Sequence, residues 1–380
     1  MGLFKFAYQK ILKPILFRFD PEAVHNLFVR AGEIFGRSRI GRKLVAAIYG
    51  YRGPDVSRQI DGVSYPTPVL LAAGFDYNGR LTQILHSVAF GGVEVGSVTA
   101  RPCSGNEPPR LRRAPESKSL IVYKGLKNEG VEKIIARQKK HPPQHGLVVG
   151  MSIAMTNDEG SATLEGAIDD YTTSLRRLHQ EGIGDYYTVN ISCPNVHGGE
   201  NFTNPDRLRK LLDSLDQVPV DQPRYAKMPI NLDWDTFQEL VDILREHHFQ
   251  GVIIGNLNKE YHSLDYPEEA PAAYRGGLSG KPCRELSTEL IRRTRAHVGP
   301  DFTIIGCGGV LSPEDALEKF AAGANLIQLI SGMIFEGPHL MKEIAESLAR
   351  LQTPALPDSA PGLQALPAPL QLPPSSPPQS

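Results

Sequence analysis

The chain has 380 residues, 41% of them hydrophobic and 22% charged, and its 41 Lys and Arg against 42 Asp and Glu give a formal net charge of −1. This is a globular composition with length for a large core: about two or three domains by length alone, or one α/β barrel of about 250 residues with additions. The charge balance lacks the basic excess of a nucleic-acid-binding protein, and no apolar run approaches the ~20 residues of a membrane-spanning helix.

Residues 1–50 read as a helical extension. Leu3, Phe4, Phe6, Ala7, Ile11 and Leu12 recur at helical spacing beside Lys5, Lys10 and Lys13, and Pro14 is expected to break that helix. Asp20-Pro21-Glu22 is a start signal for a second helix, carrying Val24, Leu27, Phe28, Ala31, Ile34 and Phe35 to about Gly36. Two amphipathic helices, the first one basic, suit either a layer packed on the main domain or a hairpin lying on a membrane surface.

From about Val63 onward, apolar β-branched runs alternate with helical patterns. The runs are Val69–Ala73, Gly92–Val95, Leu147–Ile153, Tyr187–Ile191, Tyr225–Ile230, Gly251–Ile254, Thr303–Ile305 and Leu326–Leu329. Strands of this kind are parallel and buried on both faces. Eight of them across residues 51–352 predict a (β/α)8 TIM barrel, with a doubly wound sheet as the alternative. The polar and glycine-rich signals follow many different strands rather than the first alone, which favours the barrel, where every βα loop faces one site. Residues 353–380 hold nine of the 31 prolines and a single charged side chain, Asp358, and are expected to form a disordered proline-rich tail.

After the first strand, Ala72 to Gly79 offers small residues, Ala73 and Gly74 among them, against which a flat ring can lie; a tight strand-to-helix turn explains them equally well. After the fourth comes Asn190-Ile191-Ser192-Cys193-Pro194-Asn195, where two amides flank a thiol. The four cysteines (Cys103, Cys193, Cys283, Cys307) show neither CxxC nor metal-ligand spacing, which fits a reducing compartment. A thiol titrating near 8.5 needs only a modest shift to act as a base, although an isolated Cys is more commonly a small buried residue. Lys227 lies inside an apolar strand and is expected to point at the barrel mouth, towards an anionic or electron-rich cofactor. Asn256 ends the sixth strand. Gly276 to Gly280, Gly306 to Gly309 and Ser331-Gly332 cluster around the seventh and eighth strands, where barrels commonly bind phosphate, here that of a cofactor such as a flavin mononucleotide.

These motifs, together with Glu94 to Pro102 and Gly105-Asn106, resemble the dihydroorotate dehydrogenase family over nearly the whole chain except the tail. The helical N-terminus is similar to its class 2, quinone-using branch. The resemblance implies FMN, oxidation of dihydroorotate to orotate, and a quinone acceptor in a tunnel under the N-terminal helices. It also implies peripheral attachment to the cytoplasmic side of a membrane. Cys193 falls at the position of the base, and Asn190, Asn195 and Asn256 at the substrate positions. Ala73, Gly74, Ser97, Asn190, Lys227, Gly280, Gly309 and Ser331 fall at cofactor positions.

Several positions depart from the family pattern. Class 2 members usually have Ser where Cys193 stands, and Tyr77 replaces an expected lysine. Val122-Tyr123-Lys124-Gly125-Leu126 replaces Asn-Arg-x-Gly-Phe, Ser152 an Asn, and Ala154-Met155 a Gly-Lys; Gly255 and Leu257 replace two Thr, and Ile330 a Tyr. Lys124 and Arg101 are candidate partners for the substrate carboxylate. Three readings remain open: a dihydroorotate dehydrogenase with a divergent site, an FMN oxidoreductase acting on another small cyclic substrate, and a catalytically impaired relative with an interaction role.

Overall fold

A computed structural model of the chain describes residues 2–192, 202–270 and 274–352. Leu3–Ala7 (α1) and Lys13–Leu16 (α2) are joined by a π-helical turn, Tyr8–Leu12, so the break expected at Pro14 does not occur. Pro14 sits in the first turn of α2, where a missing backbone N–H is tolerated. The chain reverses after Phe17 instead. The Asp20 side chain accepts a hydrogen bond from the Ala23 amide at 2.8 Å and starts α3, Pro21–Arg37. A further helix not anticipated from the periodicity, α4 (Arg39–Tyr49), follows at once, with Ser38 as its cap. One residue is all that separates α3 from α4, so their apolar patterns run together.

A hairpin of β1 (Arg58–Ile60) and β2 (Val63–Tyr65) leads into β3 (Val69–Leu71) and β4 (Gly92–Val98). The chain then makes an excursion through β5 (Leu111–Ala114) and β6 (Ser119–Val122) before α5 (Val131–Lys140). Regular alternation resumes with β7 (Val148–Ile153), α6 (Leu164–Gln180), β8 (Tyr186–Asn190), α7 (Pro205–Leu215) and β9 (Arg224–Met228). Then come α8 (Trp234–Glu246), β10 (Gly251–Ile254), β11 (Gly277–Gly280) and α9 (Arg284–Val298). The last elements are β12 (Thr303–Cys307), α10 (Pro313–Ala321), β13 (Leu326–Leu329), α11 (Ser331–Glu336) and α12 (Leu340–Gln352).

Strands β3, β4, β7, β8, β9, β10, β12 and β13 close into a barrel in that order, every neighbouring pair parallel. The fold is a (β/α)8 TIM barrel, and its eight strands are the eight apolar runs of the sequence. The Gly276–Gly280 cluster, read from the sequence only as a glycine-rich phosphate signal, supplies a further strand, β11, which pairs antiparallel with β6 and, through it, β5.

Inside the barrel, Leu70, Val148, Tyr186, Tyr225, Ile253, Ile305 and Leu326 form one apolar layer, joined by Tyr65 of the hairpin. The Asp61 carboxylate at the hairpin turn accepts hydrogen bonds from Tyr225 and Thr303, both at 2.7 Å, and ties this plug in place. Two residues further along β8, β9 and β13 come Thr188, Lys227 and Gln328, with Glu94 of β4 in reach of two of them. Thr188 and Gln328 each donate to the same Glu94 oxygen at 2.9 Å. With the N-terminal end filled this way, open space remains at the C-terminal mouth. That end faces the π turn and α2 to α4.

Candidate functional site

A cavity of about 530 Å³ begins at the strand ends and continues beneath the π turn and α2 to α4. Ala73, Gly74, Ser97, Asn190, Lys227 and Asn256 lie on its wall, so six of the sequence-derived candidates from five strand ends converge on one space. Gly280, Gly309 and Ser331 are not on the lining. Gly280 and Ser331 adjoin wall residues Ser279 and Ile330, and the Ser331 and Ser279 hydroxyls are 2.8 Å apart. Gly309, at φ +73°, packs so closely on Arg284 that a β-carbon would lie 2.4 Å from the Arg284 Cα. Cys193 and Asn195 lie outside the described residues, as does the tail from Thr353.

The turn after β3 is held by Asp76, whose buried carboxylate accepts from the Arg80 and Leu81 amides at 2.9 and 2.8 Å. The tight-turn explanation of this motif therefore holds, and the turn leaves Gly74 on the cavity wall. At the ends of β4, β7 and β8, the Asn190 amide donates to Ser97 at 2.9 Å, and the Ser97 and Ser152 hydroxyls are 3.0 Å apart. The Asn190 carbonyl oxygen accepts from the Ser192 hydroxyl at 3.0 Å, and Asn256 donates to that same hydroxyl at 2.7 Å. Ser192 thus couples two candidate amides from β8 and β10. Sequence reasoning passed over it, although it stands between Asn190 and Cys193 in the sequence.

Lys227 is buried and faces the cavity from β9, level with Asn190 on β8. It forms no hydrogen bond or ion pair among the described residues. A desolvated ammonium without a partner is costly, so this wall suits an anionic or electron-rich occupant. Its charge also reaches Cys307, whose thiol is nonetheless pushed up by burial.

The other half of the cavity is apolar. Leu12, Leu16, Val24, Phe28 and Phe35 from the extension face Leu81, Ile84, Leu111 and Ile334. His25 and Arg113 are polar exceptions. His25 bonds the Phe75 carbonyl at 2.8 Å, and burial lowers its pKa, which favours the neutral ring. Arg113 donates to the Phe19 carbonyl at 2.8 Å and lies over the Phe17 ring. Neither residue was singled out from the sequence, because the wall they share is assembled only by the tertiary fold.

Of the two candidate carboxylate partners, Arg101 is committed elsewhere. It pairs with Asp158 at 2.8 Å and Asp170 at 3.2 Å and is not on the cavity wall. Lys124 is on the wall. Among the departures, Tyr77, Val122 and Leu257 line the cavity, whereas Tyr123, Met155 and Gly255 do not.

The dihydroorotate dehydrogenase family profile matches residues 56–351. The chain belongs to that family. A relative from Polynucleobacter asymbioticus, named dihydroorotate dehydrogenase (quinone), is 36% identical over 351 residues, covering 89% of this chain and 97% of its own. Another of that name, from Thermosynechococcus vestitus, is 32% identical over 354 residues, 90% of this chain and 96% of its own. Two crystal structures of DHODH from Eimeria tenella also align. The complex with ferulenol has a TM-score of 0.72 at 24% identity, covering 87% of this chain and 90% of its own. The ligand-free form has a TM-score of 0.73 at 25% identity, covering 87% and 94%.

Proposed function

We propose that this member of the family oxidises dihydroorotate to orotate at the barrel mouth, with FMN as its cofactor and a quinone as the electron acceptor under the π turn and α2 to α4. The observation that carries the reading is the single cavity joining Asn190, Lys227 and Asn256 to the apolar underside of the N-terminal helices. A polar compartment for a ring substrate and an apolar one for a quinone are thereby continuous. The relatives' name, dihydroorotate dehydrogenase (quinone), supports the same pairing.

The residues present fit FMN. Lys227 offers a buried cation with no partner among the described residues, Gly74 and Ala73 offer a small-residue surface for a flat ring, and Ser97 and Asn190 offer hydrogen-bonding groups. Gly280, Gly309 and Ser331, at or just beyond the ends of β11, β12 and β13, are the residues proposed for the phosphate. When bound, FMN supplies a two-electron acceptor for the substrate's C6 hydride. Lys227 is the group that stabilises negative charge developing beside it.

Cys193 is proposed as the base that takes the C5 proton. Asn190, Asn195 and Asn256 fix the planar pyrimidine ring; the described pair is already oriented by Ser97 and Ser192, so little ordering cost remains on binding. The apolar roof from the π turn to α4 limits water at the site once substrate and cofactor fill it.

Attachment to a membrane surface is part of the same proposal. Among the described residues, thirteen of the sixteen exposed large hydrophobic side chains fall between Leu3 and Leu44, and Lys5, Lys10 and Lys13 accompany them. No described helix is long and apolar enough to cross a bilayer, so the geometry fits peripheral binding, here assigned to the cytoplasmic side.

The test is direct. Purified protein is expected to be yellow with bound FMN, to be bleached anaerobically by dihydroorotate, and to lose that bleaching in Cys193→Ala. Bound flavin that dihydroorotate leaves oxidised refutes the substrate assignment.

A further inference from the structure

The first turn of α3 meets the barrel through one carboxylate and three cations. Glu22 lies 3.1 Å from Lys124, 3.1 Å from Lys127 and 3.3 Å from Arg110. Among the described residues no second carboxylate pairs with any of the three, so the cluster carries one negative and three positive charges. Burial alone would raise the Glu22 carboxyl, but the lysines overcome this and hold it at about 2. Glu22 therefore remains an anion throughout the working range.

The arrangement is asymmetric with respect to the cavity. Lys124 and Lys127 are on its wall, whereas Glu22 and Arg110 are not. Anything inside the cavity meets the excess positive charge and not the carboxylate that partly offsets it. The Lys124 side chain is almost buried, at 11% exposure, and its ammonium lies 5.5 Å from the Tyr77 ring centroid. A buried cation with a third share of one carboxylate is under-neutralised. Lys127 is more exposed, at 35%, and water supplies what it lacks. Glu22 can also lose Lys124 to a competitor and still be held by Lys127 and Arg110, so recruiting Lys124 does not release α3.

We propose that Lys124 is the cation that receives the carboxylate of the ring substrate, with Glu22 holding it in reserve when the site is empty. This rests on the dihydroorotate reading above, and it assigns a specificity-determining residue: Lys124 selects a ring acid over the same ring without its charge. The loop after β6 supplies this cation, facing Tyr77 on the turn after β3.

The experiment uses the FMN-loaded protein and calorimetric titration with two ligands, orotate and its neutral amide, orotamide. Wild type is expected to prefer orotate by about 10- to 100-fold, the range for a charge-assisted hydrogen bond to a desolvated group. Lys124→Met should bring the two ligands within about threefold, with flavin content and melting temperature as checks on folding. Glu22→Gln should move the other way and tighten orotate by about three- to tenfold, because Lys124 is no longer shared. Wild type binding orotate while Lys124→Met keeps the full preference overturns the Lys124 assignment alone. Equal weakening of orotate by Lys124→Met and Glu22→Gln also overturns it, since the cluster is then only a structural tie for α3. Wild type binding neither ligand overturns the dihydroorotate reading and this assignment with it.

Discussion

Replacing Lys227 with Met separates stability from cofactor binding, because the two are expected to change in opposite directions. In the cofactor-free protein the Lys227 ammonium is buried and has no partner among the described residues. A buried unpaired charge costs several kcal/mol, and water in the adjoining cavity relieves part of that. Methionine keeps the length and removes the charge, so Lys227→Met should stabilise the cofactor-free protein by about 1–2 kcal/mol. For a chain of this size, with about 2 cal/mol/K of unfolding entropy per residue, each kcal/mol raises the melting temperature by about 1–2 °C. With FMN the sign reverses. The lost contact should weaken cofactor binding by about 2–3 kcal/mol, or roughly 30- to 150-fold. The assay is thermal unfolding of both proteins across an FMN titration, alongside flavin absorbance after gel filtration. A variant that melts below wild type without FMN and retains FMN equally well would refute the argument, since Lys227 would then be a satisfied structural residue.

Three further outcomes follow from the geometry. Asn190→Ala removes the amide linking Ser97 and Ser192 and leaves both without it; it should cost about 2–3 kcal/mol of stability by urea unfolding, more than an exposed Asn→Ala. Acid should loosen the contact of α3 with the barrel. Glu22 has its pKa lowered from 4.5 to about 2, so its contribution is complete above about 4.5 and disappears as the pH falls through about 2. The shift is an upper bound of about 3 kcal/mol, roughly halved for screening, and is checked by comparing acid unfolding of wild type with Glu22→Gln. Finally, deleting residues 2–36 should abolish sedimentation with anionic lipid vesicles. Unchanged sedimentation would place the membrane contact elsewhere.

The barrel was legible because β-strands buried on both faces leave uninterrupted runs of Val, Ile and Leu. The helix break at Pro14 was misread because proline only interrupts a helix interior, and here it begins a helical segment after a π turn. Helix α4 was missed for want of a spacer after α3. Strand β11 is not legible in the sequence, because Gly277-Leu278-Ser279-Gly280 lacks the β-branched residues that mark a strand. Gly277 carries no Cβ for a packing reason: a side chain there would lie 2.6 Å from the Leu257 Cβ.

The sequence by itself determined the strand succession, the strand-end positions of Asn190, Lys227 and Asn256, and the concentration of apolar residues in the first 44. Each is a local property, set by periodicity and by which residue types an element can bury. Tertiary structure alone decided that those strand ends and the N-terminal helices enclose one cavity. It also decided that Arg101 is neutralised by Asp158 and Asp170 while Lys124 faces the interior. Charge pairing depends on distances between residues far apart in the chain, Glu22 and Lys124 among them, and no local pattern encodes those distances.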